Sequence, residues 1–138
     1  MEAKNLALAN INVGDIATIS RTWVENDVQL FAKLSGDFNP LHMDDEYAKT
    51  TQFKGRIVHG LLVASLCSTL VGMYLPGKKC LYLGQTLVFK KPVYINDTVV
   101  VSGAVISKSE STRIITLSVI MKKGEEVVLE GEARVQVL

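Results

Sequence analysis

The segment Gly36-Asp37-Phe38-Asn39-Pro40-Leu41-His42 sets a carboxylate and an imidazole five positions apart across a proline. An Asp–His pair can take a proton from water and deliver one to carbon, and histidine titrates near neutral pH. Adding water across an activated double bond is one reaction that uses such a pair: a base for the water and an acid for the carbon. Asn39 could fix either partner by hydrogen bonding. Taken alone, Asp37 could also be a helix-end residue and His42 a surface histidine.

A second cluster, Ile57-Val58-His59-Gly60-Leu61-Leu62, opens an apolar run. If a helix starts there, Gly60 lies in its first turn, where free N–H groups and a partial positive charge gather. Glycine lets a ligand approach the backbone. A substrate carbonyl placed there is polarised, and negative charge developing on its oxygen is stabilised. Tight helix–sheet packing would equally account for the glycine. His59 reads as a capping or packing histidine. Ser65 and Ser68 follow on the same run, each needing a partner, often its own backbone. Neither sits in a nucleophile-elbow pattern.

These residues need elements to hold them. Residues 13–24 partly alternate apolar and polar, as a first strand does. Helix-start chemistry follows at Glu25-Asn26-Asp27, with Asn26 or Asp27 as N-cap and Gly36 as the stop. Pro40 cannot continue that helix, so residues 37–42 are expected to form a polar loop. Asp44-Asp45-Glu46 starts a short helix broken at Gly55. Residues 58–75 are apolar on nearly every face, which predicts a long buried helix. Four strand-like runs follow at 80–94, 97–108, 112–123 and 125–137, with breaks at Asn96-Asp97, near Ser109-Glu110-Ser111 and at Gly124. The class is therefore α+β: a long central helix wrapped by a curved antiparallel sheet, with residues 1–138 as a single domain. Such a sheet leaves edges, and pairing with a second copy would cover them, so a homodimer is expected.

The bulk numbers narrow the functions. The chain has 138 residues, 48% of them hydrophobic, enough for a core. A net charge of +1, with scattered charges, gives no general attraction to nucleic acid or membranes. The 58–75 run approaches membrane-spanning length, but the strands after it need it as their core. Cys67 and Cys80 make no disulfide framework, and Cys67 reads as a small core residue. The two histidines and two cysteines lack metal-ligand spacing, so no metal and no cofactor are expected. The N-terminus lacks a signal-peptide core, which makes a cytoplasmic protein the expectation.

The segment FAKLSGDFNPLHMDDEYAKTTQFKGRIVHGLLVASLCSTLVG resembles the MaoC-like hydratase signature. The likeness continues through LPGKKCLYLGQTLVFKKPVYINDTV and covers most of the chain. It is similar to the (R)-specific enoyl-CoA hydratases of polyhydroxyalkanoate supply. The resemblance implies the hot-dog fold and a homodimer with two sites near the subunit interface. It implies that Asp37 is the base, that His42 is a water ligand and proton donor, and that the Gly60 N–H faces the thioester oxygen. Asn39 would support them, and Ser68, unlike Ser65, matches the family's active-site serine. The implied reaction is reversible hydration of a trans-2-enoyl-CoA to an (R)-3-hydroxyacyl-CoA.

Other readings compete. A 3-hydroxyacyl-ACP dehydratase would use the same loop, with Lys78, Lys79, Lys90 and Lys91 meeting CoA phosphate or an acidic carrier protein. An acyl-thioesterase and a non-catalytic acyl-thioester binding module share the fold. The acyl pocket floor is expected along the central helix, around Val71, and the late strands.

Overall fold

The computed structural model describes residues 1–138. Strand β1 spans Ile16–Thr22, shorter at both ends than the 13–24 run, because Gly14 turns the chain with φ +97° and Trp23 tucks into the core. Helix α1 runs Glu25–Ser35. Its N-cap is Val24, not Asn26 or Asp27. Asp27 sits at the third helical position, and its carboxylate accepts the Val24 N–H at 3.0 Å. Gly36 closes the helix in the left-handed conformation (φ +83°), its N–H donating to the Ala32 carbonyl.

Residues 37–42 are only half loop. Pro40 does not extend α1 but starts a new turn, α2 (Pro40–Met43), where its missing N–H costs nothing. Helix α3 (Asp45–Thr50) is capped by Asp44, which accepts the Tyr47 N–H at 3.1 Å, and it ends before Gly55.

The central helical run is shorter and less uniform than 58–75. It comprises α4 (Gly60–Ala64), α5 (Leu66–Thr69) and a π turn (Leu70–Tyr74), with Ser65 between the first two. It is not buried all round: Leu62, Val63, Leu66, Cys67, Leu70 and Val71 face the core, whereas Leu61 is 63% exposed and Ser65, Ser68 and Thr69 lie open beside it. Helical spacing puts Leu61, Ser65 and Ser68 on one stripe. No helix is long and apolar enough to cross a membrane.

Six antiparallel strands wrap the run. The order is β1-β4-β5-β6-β2, with β2 at Cys80–Gln85, β4 at Thr98–Ser109, β5 at Ile114–Lys123 and β6 at Glu126–Val137. The 80–94 run is therefore not one strand. It pairs with β6 through β2, then again through β3 (Val88–Phe89), and Thr86 crosses between them against Gly131. A Cβ on Gly131 would lie 1.8 Å from the Thr86 carbonyl oxygen, so only glycine admits this crossing. Strands β4 and β5 alternate cleanly, sending Val99, Val101 and Val105, and Ile115, Leu117 and Met121, to the core. Leu70 reaches across to Gly103, where a Cβ would stand 2.4 Å from its Cδ2. Helix and sheet thus pack at backbone contact, and truncating a side chain such as Leu70 costs about 2–5 kcal/mol. This is the hot-dog fold, in the α+β class.

Candidate active site

Asp37, His42 and His59 come together where the α1–α2 segment meets the start of α4. One ligating atom from each lies within 4.8 Å of the others. Both histidines of the chain are therefore in one place, which their spacing did not reveal.

Local hydrogen bonds hold each group. The Asp37 carboxylate accepts the Asn39 N–H at 3.1 Å, and the side chain stays 49% exposed, open to a substrate. Asn39 Oδ1 accepts the Leu41 N–H at 2.9 Å and so caps α2, the turn carrying His42. Asn39 therefore supports the pair through backbone geometry; its side chain bonds neither Asp37 nor His42.

His42 Nδ1–H donates to the Ile57 carbonyl at 2.8 Å, which leaves Nε2 as the free nitrogen. That bond forms whether the ring is neutral or charged, so the ring keeps one orientation while its proton moves. Arg56 braces the same turn. Its Nε donates to the His42 carbonyl at 2.9 Å, and its other end pairs with Glu25 on α1, holding the Glu25 carboxyl below the usual range. Arg56 was missed in the sequence, where a lone arginine beside Ile57 and Val58 was the available signal.

His59 is 2% exposed. It occupies the N-cap position of α4 but makes no cap bond with its side chain. Instead Nε2–H donates to the Asp37 carbonyl at 3.0 Å, and the ring stacks on His42 at 4.0 Å and 29°. Burial pushes the imidazole below its ordinary range; the bond to Asp37 opposes this, and neighbouring His42 adds to it. The nitrogens of His59 bear on metal binding: Nε2 is engaged by the Asp37 carbonyl and Nδ1 is buried, so the ring has no exposed nitrogen to offer an ion shared with Asp37 and His42.

Gly60 begins α4, and its N–H finds no acceptor within the chain. Its other side is covered by Phe89, whose ring would meet a Cβ at 2.8 Å. Ser68 is not brought to this cluster within one chain. It lies on the exposed stripe of the helix, about 12 Å of helical rise beyond Gly60, with its hydroxyl unpaired. Ser65 bonds the Leu62 carbonyl at 2.6 Å.

Two cavities flank the site. One of about 490 Å³ lies between α1, β1 and the central helix and includes Phe31, Leu62 and Ser65. The other, about 270 Å³, joins Gly60 to Lys90 and Lys91 past Phe89, Val128 and Leu129. Val71 lines neither; it is fully buried in the core. The late strand β6 does contribute, through Val128 and Leu129.

Residues 11–127 match the MaoC like domain family. The chain is 43% identical to the (R)-specific enoyl-CoA hydratase of Aeromonas caviae over 95% of this chain and 98% of that one. It is 41% identical to the (R)-specific enoyl-CoA hydratase of Rhodospirillum rubrum, covering 99% and 97%. Its structure superposes on the unliganded R-hydratase PhaJ1 of Pseudomonas aeruginosa with a TM-score of 0.92 at 38% identity, covering 98% and 87%. With an Asp–His pair beside an open helix N-terminus, and these likenesses running over nearly its whole length, the chain belongs to the MaoC-like family.

Proposed function

We propose that this protein is an (R)-specific enoyl-CoA hydratase, a hydro-lyase that reversibly adds water to a trans-2-enoyl-CoA. The observation that carries this reading is the Asp37–His42 pair, held by backbone bonds beside the unpaired Gly60 N–H. In this mechanism the thioester carbonyl sits on the Gly60 N–H and water lies between Asp37 and His42. Asp37 takes one water proton as the oxygen bonds the β-carbon. His42, charged, gives its Nε2 proton to the α-carbon from the same face. One proton then passes from Asp37 back to His42, so atoms and charge balance over the cycle. No redox or metal chemistry enters.

The names of the A. caviae and R. rubrum relatives support the CoA carrier. Lys90, paired with Glu130 at 3.2 Å, and Lys91 line the same cavity as Gly60 and suit a phosphate-bearing arm. Ser68 and the open stripe around Leu61 support a homodimer, in which a second copy would cover that stripe and bring Ser68 to a site. Residues 1–138 act as one unit, in the cytosol, where Cys67 and Cys80 stay reduced.

The test is hydration of crotonyl-CoA, followed as loss of the conjugated thioester absorbance, with the product trapped by an (R)-specific 3-hydroxyacyl dehydrogenase. Rapid loss with (R) product is expected. Release of free thiol without alkene loss would instead mark a thioesterase.

A further inference from the structure

We infer that His59 is a positioning residue for the hydration reaction: a permanently neutral, singly oriented imidazole that locks Asp37 and lets His42 alone carry the charge. The inference rests on the hydration reading above and extends it to a buried group that reading leaves idle. At 2% exposure His59 is too enclosed to touch substrate. Three contacts tie it to the catalytic parts. Nε2–H holds the Asp37 carbonyl at 3.0 Å, the ring lies 4.0 Å from His42, and the next residue along the chain is Gly60. Phe31 of α1 closes the opposite side at 4.8 Å between ring centroids.

The hydrogen bonds decide the tautomer. A carbonyl only accepts, so Nε2 must carry the hydrogen. Nδ1 is buried without any partner. A proton added there would be an unpaired buried N–H on a cation, a costly state. Burial is the largest effect on the ring and opposes a charged imidazole; of the charged and titratable groups around it, His42 stacked on it also opposes one, while Asp37 favours one. Asp37 faces it with its carboxylate 3.9 Å from Nε2, and His42 stacks on it. Helix α1 offers only Phe31. Arg56, one layer out, is engaged by Glu25 and the His42 carbonyl, with Asp45 at 3.8 Å. Two stacked imidazoliums would repel, so a neutral His59 lets His42 hold the proton it delivers. The bond to the Asp37 carbonyl meanwhile sets where the carboxylate points.

The test has two arms. Imidazole nitrogen NMR on the wild-type protein sees only two histidines. The ring absent from H59Q is expected to keep its proton on Nε2 and a bare Nδ1 as pH falls. Kinetics then compare His59→Leu, which removes the donor, with His59→Gln, whose amide N–H can replace Nε2–H. Misplacing catalytic groups by about 1 Å costs on the order of 10²-fold. H59L should lose about that much in kcat with little change in KM, while H59Q recovers most of it. Equal losses in both variants would reduce His59 to packing, and an unimpaired H59L would dismiss it. Two rings charging together would overturn the neutral state, and this arm stands even if H59L does not fold. A wild-type protein inert toward every enoyl thioester would sink the hydration reading instead, and the titration would still decide the state of His59.

Discussion

Gly60 allows the contribution of one backbone N–H to be isolated. Its backbone is not left-handed, so a side chain strains nothing there, and His59 before it is extended (φ −52°, ψ 130°), as a residue preceding proline should be. Gly60 is the first residue of α4, the position where proline is tolerated because no helical bond is lost. Gly60→Ala and Gly60→Pro therefore both fit the helix, and both push a Cβ to 2.8 Å from Cε1 of Phe89. Phe89 is 52% exposed, so its ring can swing outward in either variant. Only proline removes the N–H. The ratio of the two activities thus cancels the Cβ–Phe89 contact and reports the proposed N–H donor together with the ring carbon that takes its place. Losing one oxyanion donor costs about 10²–10³ in kcat, or about 2.7–4 kcal/mol. G60P should fall below G60A by that factor in crotonyl-CoA hydration, and thermal unfolding should place both within about 1 kcal/mol of wild type. If a folded G60P were as active as G60A, the Gly60 N–H would have no role in the reaction.

Three further outcomes follow from the same geometry. Asp37→Asn keeps the acceptor for the Asn39 N–H but loses the proposed base, so turnover should drop about 10²–10⁴-fold with an unshifted melting transition; turnover within tenfold of wild type would remove Asp37 from that role. His59 is depressed in the folded chain relative to its ordinary 6.5, so the unfolded chain binds more protons as pH falls. Its stabilisation is complete above about pH 6.5 and declines as pH drops toward the folded value, by at most about 1.4 kcal/mol per pH unit; urea titrations should show this slope in wild type and a flatter one in H59L, and parallel curves would contradict it. Burial pushes the Cys67 thiol up to about 11, so a thiol reagent at pH 8 should reach Cys80 first and Cys67 only on unfolding; equal native rates would contradict the buried placement.

Much of this protein was legible in its residues because the signals were local. The alternation of β4 and β5, the stop at Gly36, the core-facing half of the central run and the Asp37–His42 pairing depend on neighbours within a few positions. The misreadings have local causes as well. Pro40 was read as a breaker, yet the same missing N–H makes it a helix starter once Asn39 caps the turn. Apolar residues on every face predicted full burial, but composition cannot tell a face turned to the core from one left open, as Leu61 is.

The sequence alone determined which residue types were available, the fold class, and the order of an Asp–His loop before a glycine-led helix. Only tertiary structure decided that His59, 17 residues after His42, stacks on it, that Arg56 braces the α1–α2 corner, that Phe89 from a split strand covers Gly60, and that Ser68 lies away from the pair. The reason is physical. Helix caps and strand alternation are set by short-range sterics and hydrogen bonding, whereas ring stacking and burial depend on how the helical run seats in the sheet. That seating is fixed by contacts such as Leu70 on Gly103, between residues 33 positions apart.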